Sequence, residues 1–327
     1  MYKAVKPFFL TVETSLHMGS GEELGIVDLP IQREKHTNFP KLEASGLKGC
    51  IRKVFRDRDG EEKKIGEKKI SPADKEWKQR IELCFGPEPE SSGDKHAGAL
   101  AFTDGRLLLF PVKSMKGVFA WVTSRQVISR LQTDLEIAEV DSAQTPPLPE
   151  ARTVPETSEL FVDEDEGDIL LEEYSFSVEK DQCTSCFSEW ISERVFPEEA
   201  EYPYWKEKVK NDLVVLSDDA FCDFVSNSTE VITRIRIDPE TGTVKEGLFT
   251  EEYLPCDSIV YSLAMATPLL VEEDTDKKEF SQENFEEEEL VMQYFEKFLP
   301  SVIQLGGNAT IGKGLVRPRI WKEGVDE

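Results

Sequence analysis

Short apolar segments with the two-residue period of strands alternate along this chain with segments at helical spacing, and that interleaving constrains the fold more than any single motif. Residues 5–13 (VKPFFLTVE) alternate imperfectly and are rich in Phe and Val, which predicts a first strand, followed by a Gly-rich loop at 17–25. Ser45 can cap a helix in which Leu47, Cys50, Ile51 and Phe55 share one face, while Lys48, Arg52 and Arg56 line up on another. Residues 99–110 (ALAFTDGRLLLF) predict a hairpin turning at Asp104-Gly105, and 114–132 carry the period of a second helix that TPPLPE (145–150) interrupts. Strands are expected at 168–178 and 212–216 with a helix near 184–194, then a strand at 257–265 and a helix at 284–298. In 231–250, VITRIRI alternates, DPETGT supplies turn residues and VKEGLFT returns. That is a β-hairpin with Arg234 and Arg236 on its polar side. The last motif is QLGGNATIGKGLVRPRI (304–320), where Gly306, Gly307, Gly312, Lys313 and Gly314 fall within nine residues. The class is α+β, and 327 residues suit one enlarged domain with insertions, a charged one at 57–96 with a short helical piece near Trp77 to Cys84, and an acidic one at 271–290.

No apolar run approaches the roughly 20 residues of a membrane span, and the start, MYKAVKPFFLTVET, lacks the apolar core of a secretory signal, so a cytoplasmic protein without a membrane partner is expected. Of the six cysteines, only Cys183 and Cys186 form a CxxC pair, with no second pair or nearby histidine to complete four zinc ligands. The net charge of −26 argues at first against nucleic acid. The charge is uneven, however. Residues 159–180 and 271–290 each carry a net of −8, whereas 30–56 hold seven basic residues against two acids. That basic stripe is either an ordinary charged helix face or an electrostatic footprint for phosphates.

The run LHMGSGEELGIVDLPIQREKHTNFPKLEASGLKGCIR (16–52) resembles the RAMP proteins of CRISPR systems, and more narrowly the repeated backbone subunit of the type III-B effector, the Cmr complex. The phrases FPVKSMKGVFAWVTS (110–124), LFTEEYLPCDSIVYS (248–262) and QLGGNATIGKGLVR (304–317) are similar to that subunit in the same order, from about residue 5 to 320. The insertions at 57–96 and 271–290 have no counterpart in it. The resemblance implies a single RAMP domain with a ferredoxin-like, RRM-related core and helical insertions. It also implies stacking with further copies of itself and other subunits along a guide (CRISPR) RNA, and a thumb hairpin that kinks the guide–target duplex; residues 231–250 are the candidate for that thumb.

Cutting RNA requires an activated hydroxyl or water, an offset for the phosphate charge and a proton for the leaving oxygen, work suited to His, carboxylates and a divalent cation. The chain has only His17, His36 and His96. By resemblance, Asp28 in GIVDLP matches the acidic residue on which cleavage of complementary target RNA depends, as holder of a divalent metal, Mg²⁺ or Mn²⁺, and His17 matches a nearby histidine. Glu251 and Tyr253 match supporting residues, the first as acid–base or metal partner and the second as hydrogen-bond donor, although Glu252 is an equally good carboxylate in sequence terms. Guide binding is expected at Ser45, Lys48 and Arg52, at Lys113, Ser114 and Lys116, and at the glycine loop, where small residues let the main chain approach phosphates and Lys313 adds charge. Two functions stay open on this evidence: a metal-dependent endoribonuclease acting within an assembled complex, and a scaffold that holds guide RNA while cutting occurs elsewhere. A repeat-RNA-processing nuclease of the same superfamily is a third, against which the FPVKSMKGVFAWVTS block speaks.

Overall fold

The structure, a computed structural model, describes residues 2–22, 25–88, 96–163, 167–196, 203–271 and 277–321, with the backbone alone at 236, 245 and 246. Residues 89–95 of the 57–96 insertion, residues 272–276 of the 271–290 insertion and the Arg236 side chain therefore lie outside the described residues. Seven helices are used below: α1 (Ala44–Arg56), α2 (Trp77–Phe85), α3 (Arg125–Ile137), α4 (Gln182–Val195), α5 (Pro203–Asn211), α6 (Asp218–Asn227) and α7 (Glu287–Phe298). The main strands are β1 (Ala4–Val12), β2 (Gly105–Lys113), β3 (Phe119–Ser124), β4 (Leu213–Leu216), β5 (Glu230–Ile237), β6 (Val244–Tyr253), β7 (Ile259–Ala266) and β8 (Leu315–Ile320).

The central sheet runs β4-β3-β2-β7-β1-β8. β1 pairs antiparallel with both β7 and β8, β7 pairs antiparallel with β2, and β4 joins β3 in parallel at the far side. Alternation along β1 sends adjacent phenylalanines to opposite faces. Phe8 meets Phe102 and Phe295, each at 5.9 Å, in a layer with α1 and α7, where Phe55 lies 5.4 Å from Tyr294. Phe9 meets Trp190 of α4 at 6.0 Å and Trp321 at 6.5 Å. Each such ring, taken out of water, contributes on the order of 1.5–3 kcal/mol. The second layer belongs to the chain between β2 and β7, since α3 also covers it: Asp134 accepts from Tyr261 Oη at 2.8 Å and from Arg106 at 2.5 Å.

Three expectations change and a fourth is extended. Helix α1 begins with Glu43 at the N-cap position and without a side-chain cap, so Ser45 is not the cap. Asp104 does that work from outside the helix, its Oδ1 accepting from Ala44 N at 2.8 Å while its Oδ2 accepts from Lys41 at 3.0 Å. Asp104-Gly105 is consequently not a hairpin turn. Leu100–Phe102 and β2 both pair with β7, one after the other, and Gly105 is small because a Cβ there would sit 2.9 Å from Leu42 Cβ. The first part of 114–132 is not helical either, because Gly117 and Val118 turn the chain at positive φ (71° and 73°), the aromatic and β-branched run FAWVT becomes β3, and α3 starts only at Arg125. Finally, the 57–96 insertion adds a small hairpin, Lys63–Ile65 with Lys68–Ile70, to the short helix expected near Trp77, which is present as α2 and packs its Trp77 5.3 Å from Tyr294 and 5.0 Å from Phe298. Part of the acidic insertion is packed too, with Phe280 fully buried and Arg80 forked onto Glu279 at 3.1 and 2.7 Å.

The hairpin expected at 231–250 is present as β5 and β6, a separate two-stranded ribbon. Asp238 builds its turn by accepting from Glu240 N and Thr241 N at 2.8 and 3.2 Å, with Gly242 at φ 66°. The ribbon carries Ile235, Ile237, Val244 and Leu248 exposed.

Replacing the external cap separates the two capping assignments. Asp104→Ala is expected to cost about 1 kcal/mol or more, as a lost N-cap does, and Ser45→Ala less than about 0.5 kcal/mol. Urea unfolding of the two variants measures it, and an equal effect at both positions would reject Asp104 as the cap.

Candidate functional site

The expected catalytic residues and the glycine loop come from segments far apart in the chain, and β6 is where they meet. Leu29 runs beside Glu251 as a parallel bridge, with Leu29 N donating to Thr250 O and Glu252 N to Leu29 O, each at 3.0 Å. This places Asp28 over Thr250. The Asp28 Oδ2 accepts from Thr250 N at 2.7 Å and from Thr250 Oγ1 at 2.8 Å, and Asp28 N donates back to Thr250 Oγ1 at 2.9 Å. Asp28 is exposed, and these bonds, from the Thr250 backbone first and its hydroxyl second, hold its carboxyl below the usual carboxylate range.

On the neighbouring rungs Glu251 and Glu252 point to opposite sides of the strand, and both are buried, at 4% and 5% exposure. Glu252 accepts from Arg33 at 2.5 Å, Thr229 Oγ1 at 2.7 Å and Ile31 N at 3.0 Å, so it ties down the loop that carries Asp28. Arg33 also donates to Val225 O of α6 at 2.9 Å. The two carboxylates that sequence could not distinguish are therefore distinguished by direction: Glu252 faces the supporting loop and Glu251 faces the rest of the candidate site.

Glu251 Oε2 accepts from Tyr253 Oη at 2.6 Å and lies 3.2 Å from Arg234 Nε, and Glu251 Oε1 accepts from Asn308 Nδ2 at 2.5 Å. Burial alone would raise the Glu251 carboxyl, but the bonds from Tyr253 and Asn308 and the nearby His17 and Arg234 outweigh it and lower it. Burial, then the bond to Glu251, pushes the Tyr253 hydroxyl well above the ordinary phenol value. His17 Nδ1 meets the Glu252 carbonyl at 2.7 Å; since a carbonyl only accepts, Nδ1 carries the proton. Its Nε2 then faces Glu251 Oε1 at 3.6 Å, too long for a hydrogen bond. Gly19 makes room for that ring, because a Cβ there would lie 2.6 Å from Nε2.

The glycine loop closes the same cluster. Gly307 N donates to His17 O at 2.9 Å, and a Cβ on Gly306 would fall 2.1 Å from that oxygen. A Cβ on Gly314 would fall 2.1 Å from Leu305 O, so these two glycines give their space to the chain itself, whereas Gly312 faces open space. Lys313 Nζ sits over the Tyr253 ring at 4.8 Å. Asn308 was missed in the sequence. Its signal is an asparagine inside a glycine run, at φ 63°, where only a few side chains are tolerated.

The other expected RNA contacts lie elsewhere. Lys48 donates to Leu100 O at 2.7 Å and is half-buried, which lowers its ammonium. Ser45 is exposed and Arg52 half-buried, the latter in a groove with Arg56, Trp77 and Lys78. Lys113 and Lys116 are exposed on the turn before β3, while Ser114 is buried. Lys208 of α5 holds that turn by donating to Gly117 O and Phe119 O at 2.8 and 2.9 Å. Among the described residues no three His, Cys, Asp or Glu side chains converge as a metal cage, and no helix is long and apolar enough to cross a membrane.

A model of the RAMP superfamily matches residues 9–317. The chain is 37% identical over 308 residues to the CRISPR system Cmr endoribonuclease Cmr4 of Pyrococcus furiosus, spanning 93% of this chain and 91% of that one. Among solved structures, oligomeric Cmr4 from Pyrococcus furiosus is similar with a TM-score of 0.65 at 29% identity, covering 97% of each chain. A subunit of the Type III-B Cmr-beta complex bound to cognate target RNA shares the fold, with a TM-score of 0.67 at 20% identity and 98% of each chain covered.

Glu252→Gln is expected to destabilise the chain by about 3 kcal/mol, because it leaves the Arg33 guanidinium half-buried without its carboxylate. Chemical denaturation measures this, and a cost below about 0.5 kcal/mol would show that the pair does not secure the Asp28 loop.

Proposed function

The chain belongs to the RAMP superfamily, and on that premise we propose that it is the repeated guide-RNA-binding subunit of a type III-B CRISPR effector, cutting complementary target RNA at a site centred on Asp28. One observation carries the proposal: Asp28 is exposed yet fixed by Thr250, one rung from a cluster that joins His17, Glu251, Tyr253 and the glycine loop. An exposed carboxylate that costs the fold two donors to hold in place suits a ligand that arrives from outside. The name of the Pyrococcus relative supports endoribonuclease action, and the solved oligomer of that relative supports assembly with further copies.

The strand–helix–strand units β1-α1-β2 and β7-α7-β8, with strand order β2-β7-β1-β8 and antiparallel neighbours, support a ferredoxin-like core whose second layer and hairpin are insertions. The exposed apolar side chains of the β5–β6 ribbon suit a thumb that inserts beside bases. Lys313, Arg52, Lys113 and Lys116 would hold phosphates without reading sequence, which a subunit accepting any guide requires.

A divalent metal fits a site of this kind, because Mg²⁺ and Mn²⁺ are commonly held by one or two carboxylates together with waters and the substrate's own phosphates. Asp28 would hold it, and the metal would supply charge to offset that of the scissile phosphate. The chain's own residues do the rest. The Asp28 loop sets the position of the target strand, and the His17 Nε2 can take a proton from the attacking hydroxyl. Glu251 and Tyr253 keep the imidazole's surroundings polar and fixed.

In reconstituted complex, Asp28→Asn is expected to slow cutting of a complementary RNA by about 100-fold or more, with target affinity within about threefold, and EDTA is expected to reproduce the loss. Full cutting by Asp28→Asn leaves the scaffold reading in its place. Deleting 237–244 is expected to leave the core folded, because the ribbon tip is exposed, and to disturb target pairing or the spacing of cuts. Regular cuts from a folded deletion variant would assign the thumb to another segment.

A further inference from the structure

We propose that Arg234 and Asn308 are positioning residues that complete the cleavage site only when the hairpin and the glycine loop are both seated, given that Glu251 and Tyr253 belong to that site. Neither residue touches Asp28. Each instead holds the same two groups from a different RNA-facing element.

Arg234 stands on β5 opposite Phe249, and its guanidinium reaches back along the ladder to donate to Tyr253 Oη, with Nε 3.2 Å from Glu251 Oε2 and Nη1 3.4 Å from Asn308 Oδ1. Asn308 donates to Glu251 Oε1 at 2.5 Å and to Tyr253 Oη at 3.1 Å. The count of partners is informative. A phenol hydroxyl has one proton and two acceptor positions. Here the proton goes to Glu251 at 2.6 Å, and Arg234 and Asn308 take the two acceptor positions. Both Glu251 oxygens are likewise engaged, one by Asn308 and the other by Tyr253 and Arg234. Removing either donor leaves the hydroxyl free to turn and one carboxylate oxygen free to shift.

The placement of the two donors makes this a coupling device as well as a support. The β5–β6 pairing is regular down to Arg234 and becomes irregular between Arg234 and Arg236, so the ribbon beyond Arg234 can be displaced relative to its root. Asn308 sits at φ 63° in a loop otherwise anchored to the His17 carbonyl. RNA that moves the ribbon or the loop therefore acts on Glu251 and Tyr253 through one residue of each, and a misplacement of about 1 Å is enough to cost about 100-fold in rate.

The test uses complexes reconstituted with guide RNA and carrying Arg234→Gln, Arg234→Lys or Asn308→Gly, the last chosen because glycine keeps the left-handed backbone. Thermal stability, target-RNA affinity and single-turnover cutting are measured together. Expected are a target affinity within about threefold of wild type and cutting slowed by about tenfold or more in all three variants. Combined with Tyr253→Phe, the Asn308→Gly loss should not multiply, because both act on the same group. Wild-type cutting by Arg234→Gln and Asn308→Gly, or losses that multiply fully with Tyr253→Phe, overturns the proposal. Full rescue by Arg234→Lys also overturns it, since a point charge without the planar fork would then suffice. An Asp28→Asn complex that cuts normally removes the site itself and the positioning role with it. An inactive Asp28→Asn complex beside a fully active Asn308→Gly complex removes the positioning role alone.

Discussion

Two consecutive glutamates buried on one strand impose a demand that the surrounding chain has to meet from both sides. A buried carboxylate without donors costs several kcal/mol, and β-strand geometry sends neighbours such as Glu251 and Glu252 in opposite directions. Glu252 is met by Arg33, Thr229 and Ile31, which brings the 28–33 loop against β6 and fixes Asp28 over Thr250. Glu251 is met by Tyr253, Asn308 and Arg234, which brings the glycine loop and the hairpin root to the other side. The site is thus assembled by the need to neutralise two charges, and segments more than 200 residues apart converge because each carries one of the required donors.

Much of the framework was legible in the sequence because it depends on period. Phe8 and Phe9 announce a strand buried on both faces, the alternation of VITRIRI announces the ribbon, and Leu47, Ile51 and Phe55 announce the packed face of α1. What period cannot show is which distant group completes a local need. Ser45 is a reasonable cap by residue type, yet Asp104 takes the position because the start of β2 lies beside the helix start. Residues 114–124 scan as helix, yet a turn at Gly117 and Val118, held by the Lys208 ammonium, hands FAWVT to the sheet. In the site, His17, Glu251 and Tyr253 do come together in space. Asn308 and Arg234 were not assigned to it, since their value lies in a shared hydroxyl and carboxylate that no spacing rule connects.

The charge pattern changes meaning once the side chains are placed. Of the basic stripe at 30–56, Arg33 is committed to Glu252, Lys41 to Glu43 and Asp104, and Lys48 to the Leu100 carbonyl. The stripe is therefore partly internal wiring, with Arg52, Lys53 and Arg56 toward the end of α1 at least partly open to solvent. On a chain with a net charge of −26, RNA binding, as proposed, relies on local contacts rather than on a long-range field. Such binding is sensitive to geometry. Stacking copies along one guide would repeat the same few contacts, so that affinity accrues through multivalency while each subunit stays weakly held.

Weak, local holding has a consequence for the chemistry proposed. Asp28 offers one exposed carboxylate, with Oδ2 already accepting two bonds from Thr250, and among the described residues no further carboxylates or histidines gather round it. A divalent cation held by Asp28 would have to take most of its ligands from water and from the phosphates of the RNA. On the proposed reading the substrate would build part of its own site, and a strand that is not correctly paired and seated would fail to complete it. Glu251 and Tyr253, held by the hairpin root and the glycine loop, place the same condition on the protein side. On the proposed reading, a subunit arranged in this way would have little means of cutting RNA that merely drifts past, because Asp28 by itself offers too few ligands.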